Sequence, residues 1–551
     1  MDLLLPWILA YIIDEVVPLG SIRKVMLWGA LMILCAFFAV AGNIIANRMA
    51  SYVAAETTRQ IRHDLFDKIA RLSLRKVNEF TESSLVSRLT SDTYNVHNTI
   101  GRIQRLGVRA PILVIGGIIV TLTLDWVLSC VLMVLLPIMA WIVIKVSQKG
   151  IPLFATHQQA VDIMVRKVRE SISGIRVIKA LSKTDYEAKC FESINKDVME
   201  KEEKASMVMG ITNPAMNFIL NMGWVLVIVV GAYRVNAGLT QSGKIIAFLT
   251  YFTIILNAML SISKIFVKFT QAFASADRIE AVLDEADTME EVEAIYNRND
   301  ATDTGYNNYI EFRHVSFAYP NSKTVVRDID FTLDKGKSLG IIGATGSGKT
   351  TLINLLMRLY DTTEGNVYIN KKDVREYPSK ELHDMFGAAF QNDTIFEDTI
   401  YENISLSRNI PLEEVKKAAE IADISSHIEA LDNQYNHVAA IKGADMSGGQ
   451  KQRILIARAV AGNPDIIVLD DSSSALDYKT DARIRGQIRN HLHNATIIIV
   501  AQRVSSVMKC DKIILLDEGR ISAAGTHEEL LLTSELYRNI AASQMGGALI
   551  D

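Results

Sequence analysis

The chain has 551 residues, 49% of them apolar and crowded into the first half, and a net charge of -4. That length leaves room for two or three domains, and the near-neutral balance suggests neither a nucleic-acid binder nor a polybasic membrane tail. Cys35, Cys130, Cys190 and Cys510 lie far apart with no CxxC pair, and the ten histidines show no paired ligand spacing. This pattern reads as a reduced, cytosol-facing protein without a disulfide framework or a thiolate metal site.

The first stretch, Leu3–Ile13, offers too short an apolar run to cross a bilayer before Asp14 and Glu15, so it reads as half a span of a shortened N-terminus. No basic beginning or small-residue cleavage site marks a signal peptide. The run Val25–Ala46 carries no charge; at about 1.5 Å per residue it reaches roughly 33 Å, enough to span. Ala110–Ile144 is a second apolar block, broken by Asp125 and Trp126, which suit a hairpin between two short spans. Two more spans follow, near residues 211–232 and 245–266, separated by the polar YRVNAGLTQSGK.

The long segments 48–109 and 145–208 are rich in Lys and Arg, so they face the cytosol. They also keep helical spacing, with Ile61, Leu65, Ile69 and Leu72 on one face, so the spans are expected to continue as helices beyond the membrane and to need a docking partner. Asn213, Asn217 and Asn221 recur every four residues along one helix face beside Pro214. They read either as interhelical hydrogen-bonding residues or as the lining of a polar path. No acid sits deep in a span, which speaks against a proton-driven relay.

Past Leu283 the text turns acidic and mixed, which reads as an exposed linker over residues 286–308, between a transmembrane domain over 1–285 and a soluble domain over 309–551. There the apolar SLGIIG, Ser338–Gly343, runs into ATGSGKTTLINLLMRL: a strand, a glycine loop and an apolar-periodic helix. The loop Gly343, Ala344, Thr345, Gly346, Ser347, Gly348, Lys349, Thr350 and Thr351 is a phosphate-binding P-loop in the right context. Its glycines let backbone N–H groups crowd around phosphate oxygens, Lys349 neutralises β/γ charge, and Thr350 offers its hydroxyl to Mg²⁺. A second apolar strand, DIIVLD, ends on Asp470, placed to hold the same Mg²⁺ through water.

Between them lies MSGGQKQRILIARA, Met446–Ala459. This segment resembles the signature of the ATP-binding cassette family, and the resemblance then covers nearly the whole chain. Six spans with long cytosolic extensions, fused ahead of one cassette, resemble a half-transporter of the multidrug or lipid exporter type. The implied fold is an all-α transmembrane domain of six long helices, the first cut short, followed by an α/β P-loop domain. By that resemblance Tyr319 would stack on adenine, and Gln391 would bind Mg²⁺ and link it to the membrane extensions. Ser447, Gly448, Gly449 and Gln450 would grip the γ-phosphate of ATP held by the opposite subunit, and Asp477 would communicate between the two sites.

Four positions depart from the family pattern. Efficient hydrolysers carry Glu after the magnesium aspartate and His in a later switch; here the residues are Asp471 and Gln502. The shorter acid falls about 1.5 Å back, and misplacement on that scale can cost about 100-fold. Gln502 donates a hydrogen bond but carries no charge and shares no proton. Val438 and Ile441 stand where exporters usually place glutamates. The chain thus resembles the degenerate-site subunit of a bacterial heterodimeric exporter, with ATP and Mg²⁺ as cofactors, a non-identical half-transporter as partner, a membrane location and amphipathic drugs or lipids as cargo. A homodimeric flippase and an ATP-gated channel or regulatory subunit are the competing readings. The spans set aside a soluble phosphoryl-transfer enzyme, and no substrate-capture module points to import.

Overall fold

A computed structural model describes residues 1–286, 308–320, 322–391, 393–472 and 475–545. All of the expected linker except its two end residues lies outside that set. The described chain divides into two compact units, one of residues 1–71 and 80–285 and one of residues 72–79 and 286–551.

The first unit is helical. The long helices are Ile22–Arg71, Trp126–Ser173, Thr184–Gly210, Thr212–Asn236 and Ser242–Leu283, and Arg109–Leu124 completes the apolar block ahead of Trp126. Among the described residues five helices are long and apolar enough to cross a membrane; the helix Leu4–Tyr11 at the start is not among them. Apolar runs flow into charged cytosolic extensions without a break because nothing in between stops a helix. The 50-residue helix Ile22–Arg71 carries the expected stripe, with Leu65 at its buried centre. Pro137 and Pro152 lie within the 48-residue helix Trp126–Ser173. Such prolines are tolerated in membrane helices because neighbouring groups satisfy the carbonyls they free.

The expected hairpin sits at Asp125, whose extended backbone (φ -161°, ψ 114°) ends one helix and starts the next. One carboxylate oxygen accepts from the N–H groups of Val127 at 2.9 Å and Leu128 at 3.2 Å, which caps the second helix. The other oxygen pairs with Arg234 at 3.2 Å. Asn213, Asn217 and Asn221 do share a face, but all three are exposed. Among the described residues none of them hydrogen-bonds another helix. The reason is placement: Met216 and Ile219 turn inward from the same helix and join Leu132, Leu135, Met139 and Phe252.

The second unit is built on two sheets. Strands β1 (Asn308–Ala318), β2 (Thr324–Asp334), β4 (Glu364–Ile369) and β5 (Lys372–Asp373) form an antiparallel sheet in the order β2-β1-β4-β5. Strands β3 (Ser338–Gly343), β6 (Phe386–Ala389), β7 (Ile466–Asp470), β8 (Thr496–Ala501), β9 (Lys512–Asp517) and β10 (Arg520–Gly525) form the other, ordered β10-β9-β3-β8-β7-β6. That sheet is parallel except at β10. Every residue of β3 and β7 is buried, as parallel strands covered on both faces require. The segment 72–79, from the first cytosolic extension, packs within this unit, and Asn78 Nδ2 donates to the Tyr360 hydroxyl at 2.7 Å.

Candidate functional site

Parallel strands deliver their carboxyl ends to one edge of the sheet, and a ligand crevice forms there. β3 ends at Gly343, β7 at Asp470, β8 just before Gln502, and β6 shortly before Gln391. Register fixes the spacing, since Asp470 lies opposite Val500 and Ile342 opposite Ala501. The result is a cavity of about 200 Å³ lined by Thr345, Gly346, Gly348, Lys349, Thr350, Thr351, Gln391, Asp470, Asp471 and Gln502.

The loop after β3 needs glycine for a steric reason at Gly348. That residue adopts φ +99°, and an added Cβ would stand 3.1 Å from Val326 and 3.3 Å from the Val325 carbonyl. The helix Lys349–Leu356 then starts with its N–H groups toward the crevice. Lys349, nearly fully buried, donates to the carbonyls of Gly343 at 2.9 Å and Ala344 at 2.8 Å. Burial lowers its affinity for a proton, and the nearby Asp471 and Asp470 oppose that shift.

The two acids are unlike each other. Asp470 is 1% exposed, and among the described residues its Oδ2 has no hydrogen-bond partner, nor has the buried Ser347 Oγ. Burial pushes the Asp470 carboxyl above its ordinary range, against the hydrogen bond it shares with Thr350. Asp471 follows at φ +47°, a left-handed turn that aspartate tolerates. Its Oδ2 accepts from Gln502 Nε2 at 2.9 Å and Gln391 Nε2 at 3.3 Å. Burial raises this carboxyl too, while Lys349 and the Gln502 amide pull it back.

Raised carboxyls bind protons more tightly in the fold than in the unfolded chain. The nucleotide-free fold therefore loses stability as pH climbs from the ordinary carboxylate range through the raised values. Asp470→Asn should remove much of that pH dependence and raise the melting temperature of the nucleotide-free protein, by about 2–4 °C for each kcal/mol recovered in a domain of this size. Thermal scans at several pH values measure it.

The remaining expected residues lie apart from the crevice. Tyr319 does not line it; its ring packs edge-on against Phe317 and Tyr360, and its hydroxyl shares a hydrogen bond of 3.2 Å with Thr351. It is therefore tied to the phosphate-loop helix. Ser447, Gly448, Gly449 and Gln450 open the helix Gly448–Val460, and Ser447 and Gln450 cap each other in a capping box. Asp477 caps the helix Tyr478–His491 by accepting from the N–H groups of Lys479 and Thr480, which holds its carboxyl below the usual range. Val438 and Ile441 are both exposed.

Sequence reasoning passed over two contributors. Arg458, buried in the signature helix, donates to the carbonyls of Asn403 and Thr394 and pairs with Asp393 at 3.3 Å, beside Gln391. Gln544, near the chain end, bonds the backbone on both sides of Arg503. The first sits in an Ala-Arg-Ala run that gives no sign of its partners, and the second has no local signal at all.

Comparison with known proteins agrees with this geometry. Residues 1–259 match the model of the ABC transporter transmembrane region, and residues 326–474 match that of the ABC transporter. The ABC transporter ATP-binding protein YfiB of Bacillus subtilis is 35% identical over 548 residues, covering 99% of this chain and 94% of that protein. An ABC transporter ATP-binding protein of Mycobacterium tuberculosis is 32% identical over 554 residues, with 100% and 94% covered. The solved structure of a bacterial Atm1-family ABC exporter with ATP bound shares the fold at a TM-score of 0.83 and 22% identity, over 98% of this chain and 95% of that one. With two family models matched in tandem and relatives aligned from end to end, the chain belongs to the ABC transporters, as a multi-pass membrane protein whose cytoplasmic cassette binds and hydrolyses ATP to drive transport.

Proposed function

We propose that this chain exports amphipathic small molecules, drugs or lipids, as one half of a dimer with a non-identical partner. In this reading its own phosphate site holds ATP and cleaves it slowly, and its signature loop completes a fast site on the partner. The observation that carries the asymmetry is the pair of amides on Asp471. Gln502 and Gln391 both donate to one oxygen of a short acid, so an attacking water meets a carboxylate that is set back, already engaged and without a proton-sharing neighbour. The signature loop, by contrast, is intact, capped and open to solvent at Ser447 and Gly448.

Asp470, with its unpartnered buried oxygen, and Thr350 and Gln391 beside it, suit Mg²⁺. When bound, Mg²⁺ would offset the negative charge that develops on the phosphate oxygens. Lys349 would exchange its two carbonyl partners for β/γ-phosphate oxygens, and the loop amides around Gly346 and Gly348 would hold the remainder. ATP on these groups faces the opposite signature loop, so nucleotide holds the two cassettes together. Cargo of apolar character fits a groove of about 440 Å³ lined by Val143, Ile144, Ile151, Met259 and Ile262. The exposed asparagines 213, 217 and 221 supply polar contacts on another face.

The test is ATPase activity of the full chain purified with its co-expressed neighbouring gene product. Asp471→Asn is expected to cost less than about twofold, and removal of the partner's carboxylate about 100-fold or more, the loss usual for a preorganised catalytic group. Comparable losses from the two, or brisk ATP turnover by the isolated chain, would overturn the asymmetric scheme and leave a homodimer.

A further inference from the structure

The segment that carries Gln502 is held from outside by side chains of two helices. After β8 it runs through Gln502 and Arg503 into the short helix Val504–Val507. Gln544 Nε2 donates to the Gln502 carbonyl at 2.9 Å, and Gln544 Oε1 accepts from the Val504 N–H at 2.8 Å. From the other side Arg485 donates to the carbonyls of Ser505, at 3.1 Å, and Ser506. Arg485 is itself paired at 2.8 Å with Asp481, in the first turn of the helix that Asp477 caps.

The orientation of the Gln544 amide is fixed by its partners. One is a backbone carbonyl, which only accepts, and the other a backbone N–H, which only donates, so no flipped amide would serve. Its position follows from helical spacing. In the helix Glu535–Met545, Tyr537 and Ala541 are buried against Val504 and Val507, and Gln544 comes next on that face. Tyr537 is anchored further by its hydroxyl, 2.8 Å from His527 Nδ1. The helix is thereby held firmly enough for Gln544 to set a backbone elsewhere.

We infer that Gln544 is a positioning residue for the nucleotide site: by clamping the peptide groups on either side of Arg503 it fixes the backbone of Gln502, and so aims the Gln502 amide at Asp471. The C-terminal helix thereby becomes part of the switch. This inference rests on the reading that Gln502 and Asp471 face the γ-phosphate of ATP bound to this chain. Two neutral hydrogen bonds are at stake, each corresponding to about a two- to tenfold change in an equilibrium or rate, of which a part is felt at the site.

The experiment is a double-mutant cycle on the full chain in the complex it purifies with, using Q544A, Q502A and both together. Photolabelling of this chain by 8-azido-ATP with Mg²⁺ after timed dilution reads nucleotide release, and phosphate production reads turnover. Q544A is expected to speed release about three- to tenfold with a melting temperature lowered by no more than a few degrees, and the double variant to release no faster than Q502A alone, since contacting residues in one chain of action are non-additive. Q544E keeps the size and the acceptor for Val504 but has no donor for the Gln502 carbonyl. It should lose at least as much, whereas a space-filling role would leave it silent. Independent, multiplying effects, or no effect of Q544A on either readout, would overturn the clamp. A non-additive fall in turnover instead of faster release would uphold the clamp and refute the slow-site reading, so the two fail separately.

Discussion

Gly448→Asp is expected to lower ATP turnover of the assembled transporter about 100-fold, the scale on which removing a preorganised donor at a developing charge acts. The substitution is informative because it should not disturb folding. A Cβ at Gly448 would meet nothing nearer than the Ala475 Cβ at 3.4 Å, an ordinary contact, and an acid in the first turn of a helix is favoured by the dipole. The same carboxylate would stand where phosphate oxygens are meant to sit and repel them. Nucleotide held by this chain's own Lys349 should persist, so photolabelling of this chain survives while turnover collapses. Turnover within about twofold of the unmodified complex would mean that this loop completes no working site.

Together with the weak effect expected of Asp471→Asn, this result separates the two roles that one cassette carries. The phosphate loop and the acids lie on the carboxyl edge of the parallel sheet. The signature residues start a helix whose capping box is formed within itself, and they do not line that crevice. On the proposed reading, a chain on its own would hold two half-sites rather than one whole one, and a second cassette would bring its signature loop to ATP on Lys349.

Much of this was legible in the residues because the decisive signals are local. SLGIIG running into a glycine loop reads as a buried strand, and the fully buried β3 bears that out. DIIVLD has the same clarity. Asp125 announced its hairpin because a short acid next to tryptophan both breaks an apolar run and caps the next helix, as its bonds to Val127 and Leu128 show. The asparagine stripe misled in part: period four places Asn213, Asn217 and Asn221 on one face correctly, but periodicity cannot say whether that face meets another helix of the same chain. The amides of Gln391 and Gln502 converge on one oxygen only because β6, β7 and β8 are neighbours in the sheet. No spacing along the chain encodes that, and Gln544 was invisible for the same reason. Arg458, which ties the signature helix to the segment beside Gln391, shows how far such long-range contacts govern the site.

On the proposed reading the site is weak, and a weak site can be repaired. With the partner's catalytic carboxylate removed, so that turnover sits at its floor, Asp471→Glu combined with Gln502→His in this chain is expected to raise phosphate release about tenfold, and at most about 100-fold, the cost assigned to an acid set back by an ångström or more. Each change alone should give less. A glutamate restores reach, but beside Gln502 it still lacks a neighbour able to share a proton; a histidine supplies that neighbour, but to a carboxylate that remains set back. The double change carries a structural cost, since residue 471 lies at φ +47°. Aspartate visits that region more readily than glutamate, and the difference of about 1 kcal/mol falls on stability, not on the chemical step. The melting temperature should therefore drop by a few degrees while activity rises. That opposed pair of changes is the fingerprint of a repaired catalytic group, because a general loosening of the fold would lower both. If turnover stays at the floor, the shortened acid and the switch glutamine are not what slows this site, and the departure at Val438 and Ile441, both exposed on the cassette surface, becomes the place to look.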